Sequence, residues 1–165
     1  ATHPDYAAIR LLGAIAGDGK NSRLYKALTD KNLSTGVFTG SFLTRDPGLF
    51  FTFVPLAPGA KHEEVEKIAF AEIERIKEEG VTETELQTAI AKNLADAAFQ
   101  RDGSFAVAGS LNECIAAGDW TLFYTLDEAM QKVTVADIQR VARKYLNTDQ
   151  STTGWFIPIV PTSKK

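Results

Sequence analysis

The chain has one cysteine, Cys114, so no intramolecular disulfide can form and no multi-cysteine zinc site can be assembled. It has two histidines, His3 and His62, which share no motif. A catalytic zinc needs three protein ligands at fixed spacing, so that chemistry is not expected here. An excess of one charge sign is also lacking: the formal net charge is -3 and the isoelectric point is near 5.4. Nucleic-acid modules cluster enough Lys and Arg to neutralise several phosphates, and this balance disfavours them. Long apolar runs are missing too. The stretch Ile9 to Ala16 is interrupted by Arg10 and falls far short of the ~20 residues of a bilayer span. No basic stretch followed by an apolar segment comes after Ala1 and Thr2, so a signal peptide is not expected within these residues, and the chain reads as soluble.

With 165 residues, 44% hydrophobic and 24% charged, the chain has the size and balance of one globular domain. Pro4 suits the first turn of a helix carrying Ala8, Leu11, Leu12 and Ile15, which Gly17-Asp18-Gly19 ends. Asn21 or Ser22 caps a second helix running from about Ser22 to Asp30. The stretches Thr35 to Thr44 and Leu49 to Leu56 read as an antiparallel hairpin turning at Arg45-Asp46-Pro47-Gly48. In the first strand Val37, Thr39 and Ser41 alternate against Phe38, Gly40 and Phe42. This alternation predicts that Phe38, Phe42, Phe51 and Phe53 contribute to the buried face of the sheet or to a substrate groove.

Helical periodicity returns at Val65, Ile68, Ala69, Ile73 and Ile76, ending at Gly80. Thr82 and Glu85 form the T-x-x-E pattern of a capping box, opening a long helix with Leu86, Ile90, Leu94 and Ala97 on one stripe. Further helices are predicted over Phe105 to Ala117, Leu122 to Met130, and from Thr134 with Val135, Ile138, Val141, Ala142 and Tyr145 on one face. A last strand is predicted over Thr152 to Ile159. The fold class expected is α+β, with helices layered on an open, mostly antiparallel sheet. Three strands are few for so many helices, so a further strand is expected before Ala1, and the chain reads as a single domain, 1–165, cut from a longer protein.

Chemistry is hard to place. His62-Glu63-Glu64-Val65-Glu66 resembles the start of a helical zinc motif, but H-E-x-x-H needs a histidine where the chain has Glu66. The inverted H-x-x-E-H needs a glutamate where it has Val65. Acidic residues complementing the dipole at a helix start explain the segment. Cys114 sits in Ala-rich helical sequence without a neighbouring histidine and reads as a buried thiol. Gly17 to Ser22 has the glycines, lysine and hydroxyl of a phosphate loop, but the spacing is wrong and the segment follows a helix. Glu72, Glu74, Glu78 and Glu79 share their helix with Lys67, Arg75 and Lys77, as a solvated, charge-mixed face does.

At Ser22 a resemblance emerges. Leu11-Leu12-Gly13 followed by Gly17-Asp18-Gly19-Lys20-Asn21-Ser22-Arg23-Leu24-Tyr25-Lys26-Ala27-Leu28 resembles the G-x-x-S-R-L-[YF]-x-x-L segment of the pitrilysin/insulysin-type zinc metallopeptidases. Relatives of that family include mitochondrial processing peptidase and respiratory core proteins. Glu78 to Leu86 is similar to its E-G-[VP]-T-x-x-E-L helix junction, and Val133 to Leu146 is a third matching segment.

The resemblance implies a half-domain with the fold of the LuxS and processing-peptidase type. Homologous halves pair as two bowls around a chamber, and an H-x-x-E-H helix in only one of them holds zinc. Lacking that helix, this chain resembles a zinc-free half. Zinc, and with it catalysis, is then expected in a partner half-domain, on the same chain or on another subunit. The implied function is non-catalytic substrate holding and chamber forming in a zinc-dependent endopeptidase acting on peptides or unfolded segments. The alternative is an interaction or scaffold domain with no proteolytic role.

In many relatives a zinc-free half supplies an arginine and a tyrosine to polarise the substrate carbonyl. Those positions fall near Thr29 and about Ser34 or Thr35, and neither side chain is present, so oxyanion stabilisation of that kind is not expected from this chain. Arg23 and Tyr25 do match the family segment. Arg23 is expected to anchor loop carbonyls while Tyr25 packs, with direct peptide contact by both as the competing role. The expected compartment is the bacterial cytoplasm or periplasm.

Overall fold

The computed structural model describes residues 1–157. The helix α1, Tyr6–Gly17, runs through the middle of the fold and is buried nearly all round, through Tyr6, Ala7, Ala8, Leu11, Leu12, Ile15 and Ala16. A helix apolar on every side must be covered on every side. Here the hairpin covers one flank, and α3 (Glu83–Phe99), α5 (Leu122–Gln131) and α6 (Val135–Tyr145) cover the rest. Gly13 and Gly17 lie one turn apart on the flank beneath the hairpin. A Cβ on Gly13 would come within 3.0 Å of the Gly40 Cα, and one on Gly17 within 2.6 Å of the Thr39 side chain. These two glycines let the strand lie directly on the helix, and the Thr39 hydroxyl donates to the Gly13 carbonyl.

The hairpin pairs β1, Phe38–Ser41, with β2, Phe50–Phe53, antiparallel in the register Phe38↔Phe53 and Ser41↔Phe50. An isolated bridge, Ser34↔Leu56, continues the pairing below it. The ladder is shorter than the sequence pattern predicts. Near the tip the Thr44 hydroxyl donates to the Asp46 carbonyl, a local turn that competes with pairing, and Pro47 has no N–H to give.

The third predicted strand does not form over its described part. Residues 152–157 lie instead near α2, His62–Glu79, where the Trp155 indole donates to Glu66 at 3.2 Å and the Phe156 carbonyl lies 3.3 Å from His62 Nε2. Ile159 lies outside the described residues. Among the described residues the sheet therefore has two antiparallel strands, and the protein is an α+β fold dominated by helices.

The second predicted helix is present, but Tyr25–Thr29 is wound as a π-helix. Asp30 N–H donates to the Tyr25 carbonyl and Leu33 N–H to the Leu28 carbonyl, both five residues back. The turn buries Leu24 and Leu28 completely against Val37 and Val65 in a small second core. The main core joins α1 to Ile76 of α2, Leu86, Ala89 and Ile90 of α3, Met130 of α5, and Ile138, Val141 and Ala142 of α6. Capping boxes begin α3 (Thr82 with Glu85) and α6 (Thr134 with Asp137). Between α3 and α5 lies α4, Ser104–Ala116, of which only Cys114 is buried.

Candidate functional site

The segments that carry the resemblance meet at the Gly80 junction between α2 and α3. Gly80 has φ +75, a left-handed conformation that a side chain would strain, and it ends α2 cleanly. From the first segment, Arg23 reaches in: Nε donates to Glu85 Oε1 at 2.7 Å, and Nη2 donates to Glu85 Oε2 at 2.9 Å and to the Gly80 carbonyl at 3.0 Å. Glu85 is at the same time the capping-box acceptor for the Thr82 amide, at 2.8 Å. From the third segment, Gln139 donates to the Lys77 and Glu78 carbonyls at 3.1 and 3.0 Å, and Arg143 to the Lys77 carbonyl at 2.7 Å. The last carbonyls of α2, which have no helical partner, are thus capped by side chains from α6 and by Arg23.

The bond from Arg23 holds the Glu85 carboxyl down at about 2, and Glu85 in turn raises the Arg23 guanidinium. Arg23 Nη1 is buried and has no partner among the described residues. Tyr25 is half-buried on the π-helical turn.

At Thr29 and Ser34, two of the positions the resemblance set against an arginine and a tyrosine, the structure brings two hydroxyls together. Thr29 Oγ1 and Ser34 Oγ are 2.8 Å apart, and Ser34 is buried. Each satisfies the other, and neither carries charge to offer a developing oxyanion. This pairing across a five-residue turn carries no sequence signal beyond the presence of two small hydroxyl residues.

The histidines do not fit a zinc site. His3 Nδ1 accepts the Asp5 amide at 3.0 Å, whereas His62 stacks beside Trp155 with ring centroids 5.4 Å apart. Among the described residues no group of three or more His, Cys, Asp or Glu is placed to hold a metal. Burial pushes the Cys114 thiol up, away from the reactive thiolate. In the Gly17 to Ser22 loop the Ser22 hydroxyl turns back to donate to the Gly19 carbonyl at 2.7 Å.

The largest departure from the sequence reading is on the hairpin. Phe38, Phe42 and Phe53 are 58%, 66% and 61% exposed, and Phe51 is half-buried, so the phenylalanine face is not the buried face of the sheet. Gly13 and Gly17 let the backbone at Gly40 and the side chains of Val37 and Thr39 lie directly on the helix, and the phenylalanines of the opposite strand face, Phe38, Phe42, Phe51 and Phe53, turn outward. There they pair across the strands: Phe42 stacks on Phe51 with centroids 5.0 Å apart, and Phe38 lies 6.4 Å from Phe53. The inward aromatic of the hairpin is Phe50, which packs against the main core.

Comparison with known proteins places this geometry. Residues 1–93 match the family model described as the peptidase M16 inactive domain. The zinc protease PqqE of Helicobacter pylori (strain ATCC 700392 / 26695) is 28% identical over 157 residues, which is 94% of this chain and 35% of that protein. The chain thus spans about a third of the length of the curated relative it matches. The crystal structure of the inactive peptidase domain of a candidate zinc protease from Bordetella parapertussis is 29% identical with a TM-score of 0.88, over 99% of this chain and 87% of that one. A candidate zinc protease from Bordetella pertussis Tohama I is 31% identical with a TM-score of 0.85, over 94% and 87%. The chain belongs to the peptidase M16 inactive-domain family.

Proposed function

We propose that this M16 inactive domain is one half-domain of a longer zinc endopeptidase. In this reading it holds extended peptide on and beside its hairpin and closes one side of a chamber. The zinc belongs to a homologous half-domain, on the same polypeptide or a companion subunit. The observation that carries the reading is the outward aromatic face of the hairpin. Phe38, Phe42, Phe51 and Phe53 form an uncharged surface that the domain's own core leaves uncovered. Monomeric domains seldom leave a contiguous aromatic face bare without a use for it. An extended peptide laid along a strand edge gains main-chain hydrogen bonds whatever its sequence, while the rings receive its apolar side chains. The substrates that suit such a surface are unfolded segments.

Arg23 and Tyr25 take unequal parts in this proposal. Arg23 positions the Gly80 junction, to which three of its hydrogen bonds are committed. Tyr25, half-buried on the same turn as Thr29, is the one of the two that this reading leaves for peptide contact. The compartment proposed is the bacterial cytoplasm or periplasm, in keeping with the bacterial relatives. No helix among the described residues is long and apolar enough to cross a membrane.

The test is hydrolysis of an unstructured peptide by the full-length protein with and without residues 1–165, the zinc half being kept intact. Removal is expected to lower kcat/KM by at least about tenfold, a loss of ~1.4 kcal/mol of transition-state stabilisation. Unchanged turnover and unchanged KM would rule out a role in substrate handling.

A further inference from the structure

A second uncovered surface lies away from the hairpin, on α4. Its sequence, Ser104-Phe-Ala-Val-Ala-Gly-Ser-Leu-Asn-Glu-Cys-Ile-Ala116, carries one charged residue, Glu113, and apolar residues on all sides. A helix of that composition belongs inside a protein. Yet only Cys114 is buried, while Phe105, half a turn round the helix from it, is 92% exposed and Ile115 is 60% exposed. The segments flanking α4 in sequence also carry exposed aromatics: Phe99 at the end of α3 is 79% exposed, and Trp120 and Tyr124 are exposed in edge-to-face contact at 6.5 Å. At 13 residues, α4 is near the length at which a helix without tertiary packing is marginal in water. Among the described residues its main packing partner is α5. Trp, Tyr and Phe are also the side chains most enriched where protein surfaces meet.

We infer that the outer face of α4, with Phe99, Phe105, Ile115, Trp120 and Tyr124, is the surface on which this domain docks against the homologous half-domain of the longer protein. The inference rests on the reading that such a half exists, and two features select that occupant. The matched region is 35% of the length of the Helicobacter relative, so about two thirds of a protein of that size is available to cover the face. The face also lacks the dense charge of a surface built for water or for a polyanion, so its complement is another apolar protein surface. Two roles then separate in space: the hairpin's aromatic face is left to peptide, and α4 holds the halves together.

Amide hydrogen exchange on residues 107–115, compared between the isolated chain and the full-length protein, tests the inference. At least about tenfold slower exchange is expected in the full-length protein, because docking removes local opening of α4. Equal rates would overturn it. Ala108→Arg places a charge on the outer face. It should leave the melting temperature of the isolated chain within about 2 °C, as exposed substitutions do, but abolish the extra protection in the full-length protein. Protection that survives the substitution would count against this surface. If the isolated chain sediments as a dimer with α4 already protected, a second copy is the occupant and the inference fails. Peptide hydrolysis run on the same samples keeps the two proposals apart: activity that survives removal of residues 1–165 contradicts the substrate-holding role, whereas α4 protection reports on docking alone.

Discussion

The Gly80 junction and the outer face of the hairpin treat their side chains in opposite ways. At the junction the polar groups of three distant segments close on one another: Arg23 on Glu85 and Gly80, Gln139 and Arg143 on the last carbonyls of α2. On the hairpin, Phe38, Phe42 and Phe53 face outward with only each other and Phe51 for company. The residues that made the chain recognisable are those that hold it together, and the surface proposed to hold peptide lies outside the matching segments. In a domain without catalytic groups this is physically reasonable. A helix junction demands particular donors at particular positions, whereas an aromatic platform tolerates many arrangements of rings.

Substitutions in the two regions should separate stability from function. The largest stability loss is expected away from both regions, in the small second core, where Leu28 is fully buried on the π-helical turn. Leu28→Ala should cost about 2–5 kcal/mol in urea unfolding, by lost burial and the cavity left behind. At the junction itself, Glu85→Ala strips Arg23 of its partner and removes the α3 capping box. A loss of about 2–3 kcal/mol is expected, with faster amide exchange in the first turn of α3.

A smaller, pH-dependent effect is expected at Asp5. This carboxylate is buried and accepts from Arg140 at 2.7 Å, Lys144 at 2.9 Å and Tyr145 at 2.8 Å, tying the start of α1 to α6. Burial alone would raise its pKa, but the bonds from Lys144, Arg140 and Tyr145 outweigh that and hold it well below the usual carboxylate range. Glu85 is likewise depressed from 4.5 to about 2. A carboxyl whose pKa is lowered by folding contributes stability that is complete above its unfolded value and is lost as pH falls through its folded value. The melting temperature should therefore be level from pH 7 to about 5 and fall steeply toward pH 2. Asp5→Asn should lower it at pH 7, by about 1–2 kcal/mol of stability, and make the acid decline shallower. A variant that matches the parent slope below pH 4 would remove Asp5 from the account.

Much of this was legible in the chain. The helix order, the capping boxes at Thr82 and Thr134, the stop at Gly80 and the hairpin turn all follow from local chemistry that acts within a few residues. The direction of the hairpin faces did not, because alternation names two faces without saying which one a helix will cover. That choice was made with Gly13 and Gly17, 20 or more residues from the strands, whose lack of side chains lets Val37, Thr39 and the Gly40 backbone lie directly on α1. The Thr152 to Ile159 strand failed over its described part for a related reason: β propensity needs an edge to pair with, and Trp155 found Glu66 instead. For the candidate site, the absence of a zinc motif and of the arginine and tyrosine could be read directly. The mutual satisfaction of Thr29 and Ser34 could not, since it depends on the width of the intervening turn.

The smallest stability effect and the sharpest functional one are expected from the same residues. Changing Phe38, Phe42 and Phe53 together to serine in the full-length protein should move stability by only about 0.5 kcal/mol per site, because none of the three is in the core. Steady-state hydrolysis of an unstructured, aromatic-containing peptide by that variant is the direct measurement. If the hairpin face holds substrate, KM rises by about tenfold while kcat stays within about twofold, the pattern of lost binding without lost chemistry. A variant that folds, retains kcat and shows an unchanged KM would contradict the substrate-holding role.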